Sequence, residues 1–205
     1  MHAGERFSAI THIVGAGLAV AALVALVWRS ATHGDAWTLV ACSVYGITLV
    51  LLYTSSSLYH SLRGKAKAVF RRLDHSGIHL LIGGTYTPFA LVTLRGPRGF
   101  WLLGAVWVLA IAGILYESIV TRPRALITVP LYLGMGWLAV FVIDPLARAL
   151  PGPALALVVA GGVFYTVGVP LYALDKRLGW AHGTFHLFVL AGSAAHFAAV
   201  YRYVA

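Results

Sequence analysis

The chain has 205 residues, 60% of them apolar and 10% charged, with a mean hydropathy of +0.85. Soluble domains carry roughly 25% charged residues, so an aqueous globular domain is excluded and an integral membrane protein is indicated. The net charge of +9 comes from cations clustered between apolar runs, which membrane topology explains better than nucleic-acid binding does.

Crossing the hydrocarbon core takes about 20 apolar residues, and seven stretches reach that length: 8–28, 36–60, 74–94, 99–120, 125–147, 153–174 and 181–203. The first opens with Ser8, Thr11 and His12 and ends at Trp28 and Arg29 without a small-residue cleavage site, so it is predicted to remain as a helix rather than serve as a signal peptide. The second holds Cys42, the single cysteine, which excludes an intrachain disulfide and reads as a buried thiol; it ends in Tyr53, Ser56, Ser57 and His60. Asp74, His75 and His79 open the third, and Glu117 closes the fourth. Gly83, Gly84, Gly134, Gly136, Gly161 and Gly162, with Pro88, Pro130 and Pro170, suit close packing and kinks. His182 and His186 open the seventh. The expected fold is therefore all-α, a seven-transmembrane helix bundle forming one domain over 1–205.

Translocated loops are depleted in Lys and Arg. One set of alternate loops carries Arg6, Arg63, Lys65, Lys67, Arg71, Arg72, Arg122, Arg124, Lys176 and Arg177; the other carries Arg29, Arg95, Arg98, Arg148 and Arg202. The N-terminus is thus predicted cytoplasmic and the C-terminus outside. That orientation, set by loop cations alone, brings Ser56, His60, Asp74, His182 and His186 to one depth near the cytoplasmic side. Ionisable groups inside a span cost a few kcal/mol and mark a functional site by default.

Residues four apart on a helix differ by about 40° in direction. His182 with His186, and Ser56 with His60, therefore each face one neighbour, and three histidines from two helices can meet. Three neutral imidazoles plus a water is the ligand set of a catalytic zinc, whereas structural zinc is normally closed by four protein ligands. Asp74 would then act as general base or orient a ligand, and Ser56 would donate to the water or the oxyanion.

Blander readings stand beside this one. Paired histidines also act as polar glue between membrane helices, Ser56 as a packing hydroxyl, and Asp74 as an N-cap of the third helix. His75 and His79 point away from Asp74 and are expected to face other helices. His196 lies about 15 Å deeper than His186, too far to share its metal. Tyr53 and Thr85 are positioned to line an acyl cavity or simply to pack. His2 and His33 have no assigned role.

Four motifs carry a family resemblance across essentially the whole chain: Glu5 to His12 (ERFSAITH), Ser55 to Ser61 (SSSLYHS), Leu73 to Pro88 (LDHSGIHLLIGGTYTP) and His182 to Ser193 (HGTFHLFVLAGS). With them the chain resembles the bacterial hemolysin III proteins, of the superfamily that includes the progestin and adipoQ receptors and, more distantly, the alkaline ceramidases. The resemblance implies zinc near the cytoplasmic side, with His60, His182 and His186 as metal residues and Ser56 and Asp74 as catalytic residues. It departs at Ser8, where an asparagine is expected.

The implied function is zinc-dependent hydrolysis of an amide or ester bond in a membrane lipid, ceramidase-like, by a multi-pass protein of the inner (plasma) membrane. A non-enzymatic lipid sensor or regulator with a structural zinc is the alternative. A cytolysin, as the family name suggests, fits less well, because seven apolar helices offer no polar channel lining.

Overall fold

The computed structural model describes residues 5–121, 123–175 and 177–205; His2, Arg122 and Lys176, all weighed above, lie outside the described residues. Among the described residues eight α-helices follow one another: α1 Arg6–His33, α2 Ala36–Ser61, α3 Gly64–Pro88, α4 Pro97–Ile119, α5 Ala125–Gly136, α6 Ile143–Ala149, α7 Gly152–Ala173 and α8 Ala181–Tyr203. Among the described residues there is no strand.

Local chemistry sets the turns between them. Asp35 caps α2, its Oδ1 accepting from Thr38 N and Thr38 Oγ1 at 2.9 Å each. Those bonds, the Thr38 backbone N–H first and the Arg95 guanidinium last, hold the exposed Asp35 carboxyl down at about 2. Gly96 turns the chain into α4 at φ 134°, a conformation that excludes side chains, with Pro97 opening the helix.

Among the described residues six helices are long and apolar enough to cross a membrane: α1, α2, α4, α7, α8 and the broken helix Ala125–Ala149. The third predicted stretch does not meet that measure, since α3 carries Lys65, Lys67, Arg71, Arg72, Asp74, His75 and His79. Its C-terminal part is nonetheless enclosed, with every residue from Gly83 to Pro88 buried. A helical segment buried all round needs no lipid-facing apolar stripe.

Two boundaries differ from expectation. α3 starts at Gly64, ten residues before the predicted 74, so Lys65 to Arg72 lie on its first turns. Lys and Arg are good helix formers, and Gly64 (φ 62°) makes the tight entry. Asp74 is therefore mid-helix, which overturns the N-cap reading for it. The predicted span 125–147 is broken: α5 gives way to a 3₁₀ turn, Trp137–Val142, before α6. Tyr86 from α3 fills the break, its hydroxyl donating to Gly136 O (2.6 Å) and accepting from Ala139 N (2.9 Å). That satisfies backbone groups that a break would otherwise strand in an apolar medium.

α1 packs on α2 and α8, α2 on α3, α3 on α4 and α5, and α7 on α8. First and last helices thus meet. Small residues allow the close approaches: a Cβ on Gly84 would strike Thr48, one on Gly113 the His79 ring, and one on Gly161 the His196 ring. Gly134, Gly136 and Gly162 face open space instead, so packing does not explain them. Between α3, α5, α7 and α8 lies a cavity of ≈ 230 Å³, lined almost wholly by apolar side chains from Leu52 and Ile78 to Leu146 and Val189.

Candidate metal centre

Three imidazoles meet where the C-terminal end of α2 faces the N-terminal end of α8. His60 and His186 are buried, and His182 is half-buried. His182 Nε2 lies 3.3 Å from His60 Nε2 and 3.2 Å from His186 Nε2. An imidazole nitrogen offers one hydrogen or one lone pair, so His182 Nε2 makes one full hydrogen bond to these neighbours or a weaker forked one to both. A shared metal accounts for both contacts at once. Tetrahedral metal bonds of about 2.0–2.1 Å place ligand nitrogens about 3.3–3.4 Å apart, which matches both distances. Among the described residues, these three form the only group of three or more His, Cys, Asp or Glu side chains whose ligand atoms converge this closely.

The far side of each ring tells which nitrogen is free. His186 Nδ1 lies 3.2 Å from Ser8 O; a carbonyl only accepts, so Nδ1 carries the hydrogen and Nε2 keeps its lone pair. Asp175 Oδ2 stands 3.6 Å from His182 Nδ1, close enough for charge attraction and just beyond hydrogen-bond reach. Neither His182 Nδ1 nor His60 Nδ1 has a hydrogen-bond partner.

Of the predicted catalytic pair, Ser56 is buried in the face of α2 that meets α3, one turn before His60. It faces the half-buried Asp74 carboxylate, but its Oγ does not close to hydrogen-bond distance. Asp74 is not one of the converging donors; its charge interacts with His75, Tyr59 and Tyr172. His75 and His79 face α4 and α5, as expected: His75 Nδ1 is 3.4 Å from Glu117 Oε2, and His79 packs on Tyr132 with ring centres 4.5 Å apart. His196 is held by α7, its Nε2 3.0 Å from Val158 O. Thr85 lines the cavity. Tyr53 does not; its hydroxyl donates to Ser193 Oγ at 2.7 Å.

Three participants went unassigned from sequence. His12 stacks on His186, centroids 3.6 Å apart and planes 13° from parallel; both its nitrogens are buried without a partner. Ser8 acts through its main-chain oxygen, so the departure from the expected asparagine leaves the histidine's orientation intact. Asp175 sits in the turn between α7 and α8, where no periodicity could point to it. The signal for α1 was present in Ser8, Thr11 and His12 falling at the depth of the site.

None of the three histidines lines the apolar cavity. It reaches them through Phe185 and Tyr172, whose rings lie 6.1 and 6.3 Å from that of His182.

A family model described as Haemolysin-III related matches residues 2–197. Hemolysin-3 of Bacillus cereus is 45% identical over 201 residues, covering 98% of this chain and 91% of that protein. The Hemolysin-3 homolog of Bacillus subtilis (strain 168) is 42% identical, covering 97% and 93%. The human monocyte to macrophage differentiation factor is 25% identical, covering 91% and 80%.

Proposed function

The chain belongs to the haemolysin-III related family of multi-pass membrane proteins, and on that footing we propose that it is a zinc-dependent hydrolase of an amide or ester bond in a membrane lipid. The observation that carries the proposal is the convergence of three imidazoles, with His182 Nε2 at tetrahedral ligand spacing from the Nε2 atoms of both His60 and His186. The donor set is all-imidazole, which suits zinc among the common metals, and it leaves a fourth position for water. Bound zinc would lower the pKa of that water toward about 7 and polarise a carbonyl.

The remaining roles fall to the protein's own groups. Ser8 O and Asp175 orient His186 and His182. Asp74 takes the proton of the attacking water and returns it to the leaving group. Ser56, facing Asp74 with a free hydroxyl, positions the water or donates to the oxyanion. The apolar cavity beside His182 receives the acyl chain. The proposal includes seven spans, with α3 as the seventh, in a single domain in the inner membrane. The N-terminus and the metal centre then lie at the cytoplasmic face, because Arg6, Arg63, Lys65, Lys67, Arg71 and Arg72 gather at that end.

Purified zinc-loaded protein assayed on a panel of acyl amides and esters, ceramide included, tests this. Hydrolysis lost in His186→Ala with folding retained supports it. A zinc-loaded protein inert across the panel ends it and leaves a zinc-stapled lipid regulator. Anomalous diffraction at the zinc edge checks the metal independently, with a peak expected among His60, His182 and His186.

A further inference from the structure

Far from the histidine centre, the apolar cavity is walled by one ring with an unmet hydrogen-bonding need. Phe185, Val189 and His196 of α8 all line the cavity, spaced four and seven residues apart and so on one face of that helix. Phe185 marks the end beside His182. His196 lies ten residues beyond His186, about 15 Å along the axis. It is 9% exposed. Its ring is fixed in place, with Nε2 3.0 Å from Val158 O and no room for a Cβ on Gly161 beneath it. A carbonyl only accepts, so Nε2 carries the hydrogen and Nδ1 keeps a lone pair. That Nδ1 is buried and has no partner. Other polar side chains of the cavity bond within the protein: Thr85 donates to Leu81 O, Tyr86 to Gly136 O, Tyr132 to His75 O and Thr166 to Gly162 O. Among the described residues, His196 is the one side chain lining the cavity with a buried polar atom left unpaired. Such an acceptor is a standing cost that a donor removes.

We propose that His196 selects an acyl chain carrying a hydroxyl group part-way along its length. The inference rests on the reading of this cavity as the seat of the acyl chain. With the carbonyl at the histidine centre, a chain laid along α8 passes His196 about twelve carbons on, since that ring lies about 15 Å away. A hydroxyl at that carbon donates to Nδ1, which offsets the water it left. A ketone there offers only an acceptor and meets a lone pair. An unsubstituted chain fits the apolar wall but leaves Nδ1 unpaired. The selection is therefore for a donor at one depth, not for polarity in general. A trapped water is the rival occupant. Buried water typically makes about three hydrogen bonds, and Nδ1 supplies one in a cavity lined almost wholly by apolar side chains.

Competition among octadecanoate chains for the zinc-loaded full chain in detergent, read by native mass spectrometry, tests the site. Four chains compete: unsubstituted, 12-hydroxy, 6-hydroxy and 12-oxo. Each is offered as the free acid and as its ethanolamide, which tells a fatty acid from an amide-linked chain. The 12-hydroxy chain should bind about tenfold tighter than the other three in at least one form. In His196→Leu that preference should vanish while the unsubstituted chain binds as before. Equal binding of the two hydroxy isomers, an equal gain for the 12-oxo chain, or no binding of any chain overturns the proposal, and the ligand series needs only the native protein. A preference that survives His196→Leu overturns it too. Cleavage is not the readout: a protein that prefers the 12-hydroxy amide and hydrolyses none keeps this site and sinks the hydrolase, and one that hydrolyses amides without the preference does the reverse.

Discussion

His12 lies flat on His186, ring centres 3.6 Å apart, yet it is not among the nitrogens that converge. It supports one of the three converging imidazoles without joining them. If stacking is its contribution, His12→Phe should keep zinc affinity near the native value, while His12→Ala should lower it about tenfold, within the range for supporting residues. Competition titration against a zinc chelator measures both; equal losses in the two variants would mean that the nitrogens matter.

Metal removal should loosen the bundle. A ligand bound only to the folded state adds about 2.7 kcal/mol at a hundred times its dissociation constant. Chelation should therefore lower the melting temperature of the native protein and leave that of His60→Ala unmoved, as read by thermal unfolding in detergent.

Asp175 should matter through His182 alone. Asp175→Asn removes the carboxylate 3.6 Å from His182 Nδ1 and should raise the zinc dissociation constant about 10- to 100-fold. In His182→Ala the same substitution should add little, because a shared partner makes the two changes non-additive.

The cap at Asp35 gives a pH signature outside the spans. Its carboxyl is held at about 2 when folded, below the usual value of about 3.9. The cap's contribution is therefore fully present above that ordinary value and is lost as pH falls through about 2. Melting temperatures of the native protein and Asp35→Ala should differ at neutral pH and converge in strong acid.

The histidine site was legible in sequence because helical spacing and loop charge both constrain it. His182 and His186 needed only the 3.6-residue period, and His60 only a depth. The start of α3 was not legible, since a run of Lys and Arg reads equally as a loop or as the wet turns of a helix. Nor was the break after Gly136, which depends on Tyr86 arriving from another helix. His12 opens the first apolar stretch next to the predicted cytoplasmic N-terminus, but stacking depends on how α1 is rotated against α8, which no single-helix pattern fixes.

His60 and His182 stand 122 positions apart in sequence, on helices near opposite ends of the chain. A metal shared by them acts as a reversible crosslink around most of the molecule. For a covalent bond closing a loop of about 100 residues, the unfolded-state entropy term is about 4.7 kcal/mol. The ion would thus set how tightly the ring of helices is laced, and zinc supply would govern how long the protein survives as well as what it can do.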